Sequence, residues 1–247
     1  MESARLESAG LESAGLESGR VEIKVAIKAK VKPAGWPGSL FSFVPAYGGS
    51  RTTAVARQLV RVQVEALGVS ALLANFDARA YSPWRLGETL RRLDGHTWGA
   101  LVSEVDGMDV LEANEVHPNQ LPAVLEYARA HYSVVCADLT SARESFALEV
   151  LRASDGIFCV AGSDMQSLEG VRDKLDWLRS LDLGERCGLL LAREPEGANP
   201  GEAEDITGVP VCSLIETEKQ LKHLAAWLAS GLDREFDSSA LEYAVAV

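Results

Sequence analysis

Basic residues, cysteine, histidine and long apolar runs are all scarce in this chain. Lysine and arginine number 24 against 36 aspartates and glutamates, a formal net charge of −12. A phosphate backbone or an anionic lipid surface is held by broad positive fields, so this balance predicts no nucleic-acid partner and works against membrane association. The four cysteines, Cys136, Cys159, Cys187 and Cys212, sit in separate apolar segments with no two close in sequence. Neither a disulfide framework nor a thiolate metal site is expected of them; they read as small core residues. His96, His117, His131 and His223 are scattered without ligand spacing and receive no role. No apolar run approaches the roughly 20 residues of a membrane span. The opening MESARLESAG lacks the charged-then-apolar pattern of a signal peptide. A cytoplasmic location is the expectation.

What is present is a large apolar fraction, 47% of 247 residues, enough for one large α/β domain or two small ones. Residues 6–19, LESAGLESAGLESG, repeat a five-residue unit three times. That is too few copies for a solenoid, so 1–20 reads as a flexible low-complexity tail. VEIKVAIKAKVKP (21–33) partly alternates apolar and basic residues, and AGWPGS (34–39) is turn-rich. Residues 21–39 are therefore a basic arm or edge strand plus linker. The arm is either adhesive, towards a partner or a membrane surface, or a solvated strand. A single domain is expected over 40–235 and a tail over 236–247.

From Leu40 onward, seven nearly continuous apolar runs read as strands: Leu40–Val44, Ala71–Phe76, Met108–Ala113, Ser133–Asp138, Gly156–Ala161, Cys187–Ala192 and Val209–Leu214. Runs of this kind suit strands buried on both faces. Between them lie helical periods, Val55, Leu59 and Val62 in one, Leu168, Val171, Leu175 and Leu178 in another. A last amphipathic stretch, 221–236, carries Leu221, Leu224, Ala225 and Leu228 on one face and reads as a packed terminal helix. The fold class predicted is α/β: a mostly parallel, twisted sheet of about seven strands with helices on both faces, in three layers. Such sheets bind ligands at the carboxyl ends of their strands.

The loop after the first strand stands in that position. In SLFSFVPAYGGSRTTAVARQLV (39–60), an apolar strand is followed by glycines, a Thr-Thr pair and a helix. Glycines let backbone N–H groups curl round an anion, a helix N-terminus adds its dipole, and a hydroxyl at the helix start can ligate Mg²⁺. Gly48, Gly49, Ser50, Arg51, Thr52 and Thr53 are the candidate phosphate-binding residues, with Thr52 the candidate metal ligand.

This layout resembles the MinD/ParA class of P-loop ATPases, whose loop reads KGGxGKTT. Four positions depart from it: Ala46 at the signature lysine, Tyr47 at the first glycine, Ser50 at the last glycine and Arg51 at the usual lysine. ALLANFDARAYSPWRLG (71–87) resembles the family's second strand, with Asn75 at its first acid and Asp77 at its second. The resemblance gives Asp77 the catalytic role of positioning the attacking water. YSVVCADLTS (132–141) resembles the strand whose closing aspartate holds Mg²⁺ through water, here Asp138. Asp155 matches an aspartate that is structural in relatives. Ala192 stands where an adenine-reading asparagine is usual. DGMDVLEANEVHPNQLPAVLEYARAHYSVVCADL is similar to the pilus-assembly (CpaE-like) branch. The resemblance covers roughly 40–230 and implies ATP or ADP with Mg²⁺ as cofactor, and a homodimer or protein partner.

The departures bear on chemistry. Arginine can still pair with phosphate, but it is forked and bulky where a compact lysine charge belongs. Two lost lysines remove charge neutralisation that carries much of phosphoryl transfer. Three readings follow. One is a MinD/ParA-like protein with a degenerate Walker A loop that binds nucleotide weakly, hydrolyses it slowly or not at all, and acts by dimerising or docking in positioning, pilus assembly or secretion. The second is a nucleotide-free pseudo-ATPase scaffold, and the third an active ATPase with an atypical loop.

Overall fold

The computed structural model describes residues 38–46, 51–76, 93–113 and 116–230. The tail, most of the arm and the end of the chain, 231–247, lie outside these, as do Tyr47, Gly48, Gly49, Ser50 and Asp77. The described elements run β1 (Ser39–Pro45), α1 (Thr52–Glu65), β2 (Ala71–Asn75), α2 (Gly95–Leu101), β3 (Val102–Val105), β4 (Met108–Glu112) and α3 (Leu121–His131), then β5 (Val134–Asp138), α4 (Glu144–Ala153), β6 (Gly156–Gly162), α5 (Met165–Ser180), β7 (Cys187–Ala192), α6 (Pro200–Thr207), β8 (Val211–Leu214) and α7 (Glu218–Ala229).

The strands form one sheet in the order β3-β4-β2-β5-β1-β6-β7-β8. Every pairing is parallel except β3 with β4. All seven expected strands are present, with Ser39, read as linker, already inside β1. The eighth, β3, was not anticipated. It makes a hairpin with β4 through Asp106 and Gly107, both at positive φ (52° and 75°). Asp-Gly is the residue pair such a two-residue turn selects. The signal was in the sequence, but VSEV is half-polar and short, and it escapes a search for apolar runs.

Strand alternation divides the core in two. Leu40 and Val44 of β1 pack on one face with α3, α4 and α5. Phe41 and Phe43 point the other way, towards α1 and α7. There Phe158 stacks on Phe43 at 5.6 Å between ring centroids and meets Trp227 edge-on at 5.9 Å. Of the α1 period, Val55 and Leu59 are buried and Val62 is half-buried against the same core, while Leu168, Val171, Leu175 and Leu178 of α5 are all buried. The last helix, α7, buries Leu221, Leu224, Ala225 and Leu228 against the sheet, with Trp227 added. All four cysteines are buried within strands. Among the described residues no helix is long and apolar enough to cross a membrane.

The amino end of the sheet is tied by a buried ion pair. Arg129 of α3 donates to both carboxylate oxygens of Asp155, at 3.1 and 2.9 Å. Asp155 Oδ2 also accepts from the Leu40 backbone N–H at 2.8 Å, and Arg129 reaches the Ala153 carbonyl. One carboxylate thus joins α3, the start of β6 and the start of β1, which is the structural role expected of Asp155.

Candidate functional site

The opposite, carboxyl end gathers the polar residues. β1, β2 and β5 are neighbours, and their register sets Phe43 and Asn75 beside Asp138. Asp138, almost fully buried, closes β5 because a carboxylate at a strand tip can be satisfied by the turn that follows. Its Oδ1 accepts from the Thr140 N–H at 3.0 Å and from the Thr140 hydroxyl at 2.6 Å. The Thr140 hydroxyl in turn accepts from Thr53 Oγ1, 3.2 Å away in the first turn of α1. A hydrogen-bonded chain, Thr53–Thr140–Asp138, therefore joins the start of the first helix to the tip of the fifth strand. On the other side, Asn75 Nδ2 donates to Glu112 at 2.9 Å at the end of β4.

The fold brings Arg51, Thr52, Thr53 and Asp138 to this end. Arg51 is exposed at the N-cap of α1; Thr52 is fully buried as its first residue; Thr53 is exposed beside it. Arg51 provides no side-chain cap, and the first turn of α1 holds no acidic residue. By contrast, α2, α5, α6 and α7 are capped by Asp94, Asp164, Asn199 and Thr217, whereas α3, like α1, has neither a side-chain cap nor an acidic first turn. A helix start without an acidic neighbour leaves its positive dipole end available to an anion. Ala46 is packed into the core with its N–H on the Val160 carbonyl, and carries no charge towards the site. Ala192 is buried at the end of β7.

Two residues were missed by sequence reasoning, Thr140 and Glu112. Thr140 was legible: Asp-x-Thr at a strand end is the pattern of an Asx turn. Glu112 was not, because its approach to Asn75 depends on β4 lying next to β2.

An open groove of about 580 Å³ runs along α1 and the start of α7, with Arg51, Arg61 and Lys222 on its walls. Thr53, Asp138 and Thr140 do not line it; Arg51 is the candidate residue it shares with the carboxyl end of the sheet. Among the described residues no three His, Cys, Asp or Glu side chains are grouped to hold a metal ion by themselves.

No protein-family model matches the chain, and no curated protein matches it in sequence. Solved structures do resemble it. The ParA family ATPase from Chlorobium tepidum TLS is 15% identical with a TM-score of 0.62, over 85% of this chain and 99% of that one. The septum site-determining protein MinD complexed with Mg-ADP, from Pyrococcus horikoshii OT3, is 16% identical with a TM-score of 0.55, over 81% and 90%. The MinC:MinD cell division protein complex of Aquifex aeolicus gives 12% identity and 0.56, over 76% and 86%. At these identities the likeness is one of architecture: the fold of this chain is that of the ParA/MinD family ATPases.

Proposed function

We propose that this chain is a MinD/ParA-like protein that takes ATP or ADP with Mg²⁺ weakly at the carboxyl end of β1, hydrolyses it slowly or not at all, and acts by dimerising or docking on a protein partner. The observation that carries this reading is the Thr53–Thr140–Asp138 chain, which couples the α1 N-terminus to an acidic strand tip. The donors fit the group. A threonine hydroxyl and a carboxylate are the hard oxygen ligands Mg²⁺ prefers, and an arginine beside an acid-free helix start suits phosphate. Thr52 and Asp138 would hold the metal. Gly48, Gly49, Ser50, Arg51 and Thr53 would hold the phosphates, and Asp77 would orient water. When bound, Mg-nucleotide supplies a phosphoanhydride whose terminal phosphoryl group the metal polarises. This chain's own residues bind and orient it, but Ala46 and Arg51 remove the two compact charges that would stabilise its transfer. The fold's likeness to a MinD crystallised with Mg-ADP, and to one in complex with MinC, agrees with a nucleotide and a protein partner.

A second reading, the nucleotide-free scaffold, is favoured by one specific feature. Asp138 Oδ1 already accepts two hydrogen bonds from Thr140, so the acidic tip is satisfied without a ligand. Thermal melting separates the two. A ligand at 100 times its Kd adds about 2.7 kcal/mol, which is roughly 5–10 °C for a domain of this size. Such a shift with Mg-ATP, lost in Asp138→Ala and Arg51→Ala, is the expected outcome. No shift at millimolar nucleotide supports the scaffold. Phosphate release that vanishes in Asp77→Ala would instead make the chain an active ATPase.

A further inference from the structure

The sheet ends in two edges, and they differ. The outer edge of β8 is closed by its own neighbours. The Val211 N–H donates to Glu204 of α6 at 2.9 Å, Ser213 donates to the Leu214 carbonyl, and Val211, Cys212 and Ser213 are buried. The other edge, β3, is open: among the described residues no strand pairs beyond it, and Ser103 and Glu104 are exposed. In a hairpin closed by the Val105–Met108 pair, Glu104 falls at a position whose backbone N–H and C=O face outward.

This open edge is acidic and repels itself. Glu104 lies directly opposite Asp109, and like charges at facing positions destabilise a pair of strands. Tyr132 donates a hydrogen bond to Asp109 at 2.7 Å, but among the described residues no cation is paired with Glu104 or Asp109. Residues 93–113 contain Asp94, Glu104, Asp106, Asp109 and Glu112 and neither lysine nor arginine.

The chain carries a segment of the opposite character. In 21–32, VEIKVAIKAKVK, every odd position is apolar, and the even positions hold Lys24, Lys28, Lys30 and Lys32 with Glu22 and Ala26. Four of the chain's seven lysines are here. The period of two is that of a strand with one apolar and one basic face. The segment also reaches. A place beside β3 is five strands from β1, about 24 Å at the usual spacing. If residues 23–28 pair with β3, residues 29–38 remain as linker, roughly 33 Å when extended.

We propose that residues 23–28 of this chain add to its own sheet as a ninth strand beside β3, with Lys24 and Lys28 set against Glu104 and Asp109 and the backbone bonding the outward groups of Glu104. Tethering favours the intramolecular form, since a short linker holds the strand at an effective concentration in the millimolar range. Covering this edge also removes a template for chain-to-chain pairing.

The test is amide hydrogen exchange on the full chain, with the variants Lys24→Glu/Lys28→Glu, Glu104→Lys and all three combined. Amides within 23–28 should exchange at least about tenfold more slowly than in the free 21–32 peptide, as for a locally closed segment. Either charge reversal should abolish the protection, and the combined swap should restore part of it. Glu104 is exposed, so its variant keeps the fold, and unchanged exchange in β5 and β6 verifies this. Arm amides that exchange like the free peptide overturn the proposal. So does protection indifferent to Glu104→Lys. Protection that appears only as protein concentration rises also overturns it, assigning the edge to the arm of a second copy.

Discussion

Arg129 and Asp155 are 1% and 2% exposed, and each is useful only while the other is present. Removing one partner of a buried pair leaves an uncompensated charge, which typically costs about 3–5 kcal/mol. Asp155→Ala should lose that much in urea unfolding, because it strips Arg129 of its carboxylate and the Leu40 N–H of its acceptor. The double variant Arg129→Met/Asp155→Ala should be less destabilised than Asp155→Ala alone. The sequence showed Asp155 only through resemblance. Its partner, 26 residues earlier on a helix, became visible once α3 was seen to pack over the start of β6. Asp138 has the same history: its place at the end of an apolar run and its local bond to Thr140 were legible, whereas the link to Thr53 depends on β5 lying beside β1.

Helix ends and turns set how firmly these residues are held. Thr217 and Gln220 form a capping box at the start of α7, the helix that brings Trp227 into the core. Thr217→Ala should cost about 1 kcal/mol, measured as a lower urea midpoint with unchanged slope. In the β3–β4 hairpin, Gly107 at φ 75° is in the left-handed region. Gly107→Ala should cost about 1–2 kcal/mol, with exchange faster in β3 than in β5. A different constraint acts at Gly197, where a Cβ would collide with the Ser163 side chain. Ser163 Oγ accepts from the Glu194 N–H at 2.7 Å, so the loops after β6 and β7 are locked together. The periodic helices were the most legible elements, since a face buried against a sheet must repeat every three to four residues. The hairpin was the least, since its turn is two residues and its first strand four.

For the molecule as a whole, the buried thiols set a limit at high pH. Burial pushes Cys187 and Cys212 up to about 12 from an ordinary 9.0, and Cys136 and Cys159 higher still. Tyr132 is raised from 10.0 to about 12, first by desolvation and then by the Asp109 carboxylate it bonds. In each case the native state keeps its proton after the unfolded chain has lost it. The stability these groups contribute is therefore complete below about pH 9 and falls as pH rises towards 12. Each such group can lower stability by up to about 1.4 kcal/mol per pH unit. Urea midpoints under reducing conditions should be level near pH 8 and drop between pH 9 and 11. Cys159→Val should flatten that decline.

The order of strands and helices along the chain, the burial of the sheet on both faces and the position of the first loop at its carboxyl end were determined by the sequence alone, because continuous apolar runs alternating with helical periods leave few other folds. The departures at Ala46, Ser50 and Arg51 were equally plain, since residue type at a known spacing is a one-dimensional property. What only the tertiary structure decided is adjacency: which strand tips stand beside Asp138, which side chain answers Asp155, and which strands form the edges of the described sheet. Hydrogen bonds and charge pairs fall off over a few ångströms, and distance in space is not written in distance along the chain.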